Sequence, residues 1–573
     1  MMLKSVLRLP VAIVVLLACA SVAPARAPAQ VLSGSAPDSA SQAPDGFRLA
    51  PRDARRVAER QPAVVRERAA GRGVRATLLV PQYFGDRRYE IVYLRGDDVR
   101  VDVHVDGISG KVLEIWTGPQ ADNLLARGYD PPIGRSLNKP YVWLALAALF
   151  VLPFVDPRRP LRLIHFDLLV LLGFGVSQLY FNRGQLDVSV PLVYPLLVYL
   201  LARMLGAGVR PRETSQRLTP LAPVALLAVG LVVLVAFRIG LNAVDSHTID
   251  VGQQSVFGAD RIEHGEPLYT RDGEHGDTYG PVTYLAYVPF ETLFPADGPG
   301  GYDRAAKAAA ITFDLLAIAG LILLGTRLRP GREGGALGLS LAYAWAAYPF
   351  SLYALQANTN DGLIAALLVF ALVVLRTPPL RGLMLGLATA AKFVPLALAP
   401  LMWSGTGEEE RRSRTVFAGT LVLVMAAAVL PYLPDGGLRE FYDTTIGHQL
   451  GRQSPFSLWG LHPSLTWLQT TLKLLAASLA VAVAFVPRRR SVRQVAALGA
   501  AVLIAVELTA THWFYFYLVW FAPLAFVAIL GAYRCSADEA WPSVPPRRPS
   551  ALRGPRAVAR AGRPGTGTVG LSR

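Results

Sequence analysis

Residues Leu218–Asp250 read LTPLAPVALLAVGLVVLVAFRIGLNAVDSHTID. At ~1.5 Å of rise per residue, the apolar run Leu218–Leu241 is long enough to cross the ~30 Å hydrocarbon core of a bilayer. It ends abruptly in a polar stretch with two acids, Asp245 and Asp250. A spanning helix that delivers carboxylates to the membrane surface is the pattern around which the rest of the chain is arranged. Similar runs recur on both sides of it, and the whole chain is 52% hydrophobic and only 17% charged, with a mean hydropathy of +0.36. That composition excludes disorder, a collagen-like repeat or a disulfide scaffold for the bulk of the chain and predicts a multi-span membrane protein.

Further spans are expected at Tyr141–Val155, Phe166–Phe181, Val190–Leu205, Ala305–Leu324, Ala336–Leu355, Gly362–Leu375, Val416–Tyr432, Leu465–Val486, Val495–Ala510 and Trp513–Ala532. The aromatic, proline-interrupted stretch Tyr279–Phe294 reads as an interfacial segment. Leu380–Trp403 reads as two half-spans meeting at Lys392 and Pro395, because a single crossing would put the Glu408–Arg414 stretch on the wrong side. The result is an all-α polytopic membrane protein of about 13 membrane segments, counting the half-spans separately. The basic excess, 57 Lys and Arg against 41 Asp and Glu for a net +16, falls mainly in short loops and the C-terminal tail. Arginine-rich short loops stay in the cytoplasm, so topology explains the charge and nucleic acid is not an expected partner. Two cysteines, Cys19 and Cys535, argue against redox chemistry.

The N-terminal part has a different composition. Lys4 and Arg8, an apolar run and Ala25-Arg26-Ala27 read as a signal peptide over residues 1–27, followed by a linker over 28–52. Residues 53–128 predict a small extracytoplasmic α+β domain, with a helical stretch Asp53–Ala70 against alternating strands at 89–94, 99–105 and 112–115. The order, with Val105-Asp106-Gly107 and Gly110-Lys111-Val112-Leu113, resembles the PepSY domain. Residues 140–533 form the expected membrane domain, and residues 534–573 a basic, disordered cytoplasmic tail.

No phosphate-binding glycine loop, HExxH or CxxC pair is present. Polar groups instead collect on the outer side: His247, His264, His275, His448, His462 and His512 beside Asp245, Asp250, Asp260, Lys392 and Arg452. Ionisable groups at membrane depth are costly and mark function. Asp250 through Asp260-Arg261-Ile262, then Gly265-Glu266-Pro267-Leu268-Tyr269 and Tyr279-Gly280-Pro281, resembles the first outer loop of GT-C membrane glycosyltransferases, notably the family 87 type that includes polyprenyl-phosphate-mannose-dependent mannosyltransferases. Lys392-Phe393-Val394-Pro395 resembles the lysine-x-x-proline break of that family, and His512-Trp513-Phe514-Tyr515 its late aromatic element. The resemblance runs over roughly 218–532. It departs from the family at Gln254, where an aromatic is usual.

The resemblance implies an inverting transferase with Asp250 as catalytic base and Asp245 as rival. Lys392, Arg452, His448 and His512 are the candidates for the donor phosphate, with snorkelling to headgroups the lesser alternative for Lys392. Asp260, Arg261, Tyr269, Tyr279, Asn358, Asp361, Gln453 and Trp459 are the substrate-binding candidates; Arg261 could instead pair with Asp260, Asn358 and Asp361 could cap a helix, and Trp459 could be an interfacial anchor. The chemistry fits independently. Nucleotide sugars are absent outside the cytoplasm, so the expected donor is a polyprenyl-phosphate sugar, whose phosphate leaves without a proton. One carboxylate that deprotonates the acceptor is then sufficient. No cofactor is required and divalent metal dependence stays open. The expected partners are a lipid-linked sugar donor, a glycolipid or cell-envelope glycan acceptor, and membrane lipids of the bacterial plasma membrane. A transporter or flippase of lipid-linked sugars and a PepSY-type sensor are the competing classes.

Overall fold

The computed structural model describes residues 34–535 apart from 72, 82–86, 97, 129–133, 270–277, 408 and 453. The expected signal peptide, the tail beyond residue 535, His275 and Gln453 lie outside the described residues.

Two short helices, α1 (Pro51–Glu59) and α2 (Pro62–Ala69), open the N-terminal domain. The sequence reading expected one helix here; Pro62 starts a second, because proline suits a first helical turn but not an interior one. The strands β1 (Gly34–Ser35), β2 (Val74–Pro81), β3 (Arg88–Arg95), β4 (Asp98–Asp106) and β5 (Val112–Thr117) form one antiparallel sheet in that order. Both β1, inside the expected linker, and β2 went unread in the sequence. Cross-strand pairs Tyr89 with Val105, Ile91 with Val103 and Tyr93 with Val101 bury one face of the sheet against Ala54, Ala58 and Val64. The β4–β5 turn is held by Asp106, whose Oδ1 accepts from Ile108 N at 3.1 Å and from the Ser109 hydroxyl at 2.7 Å. Gly107 suits this turn, since a Cβ would sit 2.1 Å from the Phe47 ring and 2.8 Å from the Arg87 carbonyl oxygen.

The rest of the described chain is helical. Its helices are α3 (Pro140–Val151), α4 (Leu163–Phe181), α5 (Leu186–Val209), α6 (Val224–Asp245), α7 (Asp250–His264), α8 (Pro281–Leu285), α9 (Val288–Leu293), α10 (Gly301–Leu328), α11 (Gly331–Ala347), α12 (Pro349–Gln356) and α13 (Asp361–Val373). They continue with α14 (Pro378–Ala391), α15 (Ala399–Ser404), α16 (Arg411–Val429), α17 (Thr466–Ala482), α18 (Val492–Glu507) and α19 (Leu518–Leu530). Among the described residues six helices are long and apolar enough to cross a membrane, those containing α4, α5, α6, α10, α16 and α17. Shorter or broken apolar helices pack between them.

Three breaks matter for function. Tyr279–Phe294 forms the two short helices α8 and α9, neither of spanning length. The expected span Ala336–Leu355 divides into α11 and α12 at Pro349, where proline cannot continue the hydrogen-bond ladder. Leu380–Trp403 is broken at Lys392, between the end of α14 and a turn at Val394–Leu398 that leads into α15.

The polar groups divide between the two ends of the bundle. At one end lie arginines that tie loops together: Arg162 donates to the Arg217 carbonyl (2.8 Å), Arg329 to Glu333 (2.7 Å) and the Gly531 carbonyl (2.6 Å), and Arg381 to Glu409. At the other end the start of α7, the Lys392 break and the residue 356–361 turn come together. In mid-bundle, Arg238 of α6 makes a two-pronged ion pair with Asp314 of α10 (2.5 and 3.0 Å) and donates to the Ala346 carbonyl and Ser351. Asp314 is a charge in the middle of a span, and its partner lies 76 positions back in the chain.

Candidate active site

The start of α7 is set by a knot of short polar side chains. Asn358, in the left-handed conformation (φ 50°) that asparagine tolerates better than most residues, is fully buried. Its Oδ1 accepts from Asn242 at 2.8 Å, and its amide donates to Ser246 (3.2 Å) and Thr248 (3.0 Å). Thr248 in turn donates to Asp303. Backbone bonds from His247 N to Gln356 O and from Ile249 N to Ala357 O lay the connection along the 356–358 turn. Gly252 allows the contact, because a Cβ there would lie 2.3 Å from the Asn358 carbonyl oxygen. The geometry leaves Asp250 exposed as the first residue of α7, its Oδ1 accepting only from the next backbone N–H at 2.9 Å among the described residues.

The two acids are therefore placed differently. Asp245 is engaged in the fold: its carboxylate accepts from Ser136 N at 3.0 Å and lies 4.0 Å from Arg135. Asp250 instead is near enough to Tyr279 and Tyr517 for its charge to act on both hydroxyls.

Tyr279 is seated by three contacts. Its carbonyl accepts from the Tyr269 hydroxyl at 2.7 Å, its N–H donates to the Tyr284 hydroxyl, and Gly280 N donates to Ala391 O at 3.0 Å. Burial and the carboxylates of Asp250 and Asp361 hold the Tyr279 hydroxyl protonated, so it is a donor. Next to it Lys392 pairs with Asp361, and Trp520 Nε1 donates to the same carboxylate at 2.9 Å. The Lys392 ammonium lies 5.1 Å from the Tyr279 ring centre and 5.3 Å from that of Trp520, within cation–π range. Tyr517 stacks on Trp520 at 4.3 Å. Arg452 approaches from the Arg439–Pro463 connection, after a π-helical turn at Asp443–Gly447, and its charge acts on Tyr279, Tyr517, His448 and His512. Among the described residues Arg452 has no ion-pair partner.

His512 bonds Ser454 at 2.9 Å; burial, Arg452 and Lys392 push its pKa well below the usual histidine value. His448 is lowered likewise by burial and Arg452. Both imidazoles are neutral near pH 7, so the cationic charge here belongs to Lys392 and Arg452.

The remaining sequence-selected residues are distributed more widely. Asn358 serves the knot, and Asp361 holds Lys392. Asp260 lies near the far end of α7 and meets the exposed His264 at 3.2 Å, while Arg261 is buried on the same helix. Trp459 is 6% exposed, packed edge-on against Tyr194 with its N–H on the Leu508 carbonyl; its ring packs the interior and presents no open face. Gln449 joins the Arg439–Pro463 connection to Thr278 at 3.0 Å. The sequence reading passed over Tyr517 and Trp520, although both lie within a few residues of the His512–Tyr515 element.

Residues 278–511 match the family model of Glycosyltransferase family 87. Over that segment the chain is similar to family 87 glycosyltransferases. No curated protein matches it. The matched segment of this transferase begins beside Tyr279, includes Asp361, Lys392 and Arg452, and ends just before His512. The family similarity together with six helices of membrane-spanning length supports a membrane glycosyltransferase.

Gly280 tests how closely the transferase depends on this packing. A Cβ at Gly280 would lie 2.0 Å from the Ala390 carbonyl oxygen, a backbone atom that cannot swing away. Gly280→Ala is expected to destabilise the protein by about 1–3 kcal/mol and to displace Tyr279 from Lys392. Sugar transfer at a temperature where the variant is still folded by thermal unfolding checks this: it should fall at least ~10-fold, the loss expected when a positioning contact shifts by ~1 Å.

Proposed function

We propose that the protein transfers a sugar, mannose by preference, from a polyprenyl-phosphate donor to a glycolipid or glycan acceptor with inversion, using Asp250 as general base. The observation that carries this reading is one exposed carboxylate beside two cations and three aromatic rings, all at one end of an apolar helix bundle. Asp250 takes the proton of the acceptor hydroxyl as its oxygen attacks the anomeric carbon, and the donor phosphate leaves from the opposite face. A phosphate leaving group is already stable as an anion, so no second acid is needed. Arg452 and Lys392 stabilise the charge that develops on it. Tyr279 and Tyr517, both only part-buried, offer rings to the sugar or to the first isoprene units, and the buried Trp520 backs Tyr517 and Lys392. The mechanism needs no metal.

The arginine-rich opposite end supports a cytoplasmic side there, and hence an extracytoplasmic site with the N-terminal PepSY-like domain on the same side. Asp314, the charge that would favour a transporter, is held in a pair with Arg238 that closes its options for carrying substrate.

The test is transfer of radiolabelled mannose from its polyprenyl-phosphate carrier in membranes containing the full-length protein. Glucose and arabinose carriers serve as alternatives, and no transfer above empty membranes with any of the three would overturn the reading. Within that assay, Arg452→Gln is expected to raise the KM for the donor by about 10-fold or more, the worth of a hydrogen bond to a charged group. An unchanged KM and kcat would remove Arg452 from the phosphate site.

A further inference from the structure

The N-terminal sheet carries charge on a face where burial would favour apolar side chains. On the side away from α1 and α2, Glu90 stands directly across from His104 in the β3–β4 register, and Asp102 lies two residues from His104, paired with Val92. Relative exposures are 5% for Glu90 and 0% for both Asp102 and His104. The Glu90 and Asp102 side chains lie within hydrogen-bonding reach of each other. Yet Glu90 Oε2 and Asp102 Oδ1 are buried acceptors with no hydrogen-bond donor among the described residues. Lone pairs buried in this way are costly unless something positive lies between them.

The neighbouring cations do not fill that role. Arg127 donates to the other Asp102 oxygen, Oδ2, at 2.6 Å, and Arg88 lies 3.2 Å from His104 Nδ1. His104 Nε2 faces Asp102 at 3.2 Å, and Glu114 Oε2 is 3.5 Å from His104 Nδ1. One ligand atom each from Glu90, Asp102 and His104 lies within 4.8 Å of the others. Tetrahedral ligand atoms around one ion with ~2.0–2.2 Å bonds lie ~3.3–3.6 Å apart, so side-chain rotations that draw the three groups together by about an ångström would complete the site.

We propose that Glu90, Asp102 and His104 bind a divalent transition-metal ion, with zinc the best match to one imidazole and two carboxylates. In the metal-free structure His104 Nδ1 accepts from Arg88 and Nε2–H donates to Asp102 Oδ2; ligation through Nε2 moves the ring proton to Nδ1, Arg88 turns from the ring to Glu114, and Glu114 accepts the Nδ1 proton, the carboxylate–histidine–metal arrangement that orients a ligand. Arg88, 3.6 Å from Glu114, then balances that carboxylate. The ion joins β3 to β4 directly. Through Asp102 and Arg127 it also fastens the segment that follows the sheet, where Gln120 donates to the Gly184 carbonyl at 3.0 Å. The metal would thus staple the sheet to the helical part of the chain.

The experiment titrates Zn2+ into chelator-stripped full-length protein in detergent, following bound metal and thermal unfolding, for wild type, Glu90→Gln and His104→Gln. The expected result is one tightly bound ion per chain with a rise in Tm, and affinity reduced at least ~10-fold in each variant. Co2+ loading of wild type adds a readout that depends on no variant: visible absorption bands of a nitrogen- and oxygen-ligated ion. If stripped wild type takes up no more zinc than the variants and shows no cobalt bands, the proposal fails, and a proton shared by Glu90 and Asp102 is what holds the pair. In that case Glu90→Gln, which imitates the protonated acid, would leave Tm unchanged or raise it.

Discussion

Asp250→Asn is expected to lower sugar transfer by ~10²–10⁴-fold, the usual contribution of a positioned general base, with thermal stability unchanged. The stability half of this expectation follows from exposure: the Asp250 side chain accepts a hydrogen bond only from the adjacent Val251 N–H among the described residues, and an asparagine carbonyl can accept the same one. Asp245→Asn gives the opposite pattern. Its carboxylate caps the turn at Ser136, so the substitution should cost about 1 kcal/mol of stability and leave most of the transfer rate intact. Measuring both variants in equal amounts of folded protein decides the base. Loss of transfer confined to Asp245→Asn would exclude Asp250.

Arg238→Met should destabilise the bundle by about 3–5 kcal/mol, because it strands the Asp314 carboxylate in an apolar interior. Arg238 is fully buried and Asp314 is 6% exposed, and Trp345 Nε1 also donates to Asp314 at 2.8 Å. Asp314→Leu alone strands the guanidinium and should cost a similar amount. The double variant Arg238→Met with Asp314→Leu removes both charges and should recover most of the loss, since an apolar pair replaces an ionic one at little net cost. Denaturant unfolding in detergent, with yield of folded protein as a second readout, measures this. Losses that simply add would show that the two residues do not act as a pair.

These two expectations rest on information of different kinds. Asp250 stood out in the sequence as an acid soon after a spanning run, beside motifs that the family 87 match later covered in part. What no linear pattern disclosed is that Asp245 is occupied by Ser136, a residue 109 positions away. Arg238 drew no reading within its apolar run, and its partner lies 76 positions on. Lys392 was selected for a break in a hydrophobic stretch, and the break is there; its pairing with Asp361 and its place between Tyr279 and Trp520 required three separate helices to meet. Trp459 matched the type expected of a sugar-stacking residue, but its ring is packed inside.

By itself the sequence determined that the chain is a helical membrane protein with a small N-terminal α+β unit. Length of apolar run and period of alternation are local properties, and a bilayer or a sheet imposes them directly on consecutive residues. Only the tertiary structure decided which carboxylate remained available, which cation was unpaired and which charges were locked together. Those outcomes depend on the rotation and depth at which one helix or strand meets another. Hydropathy, which records how much a segment is buried, does not record against what.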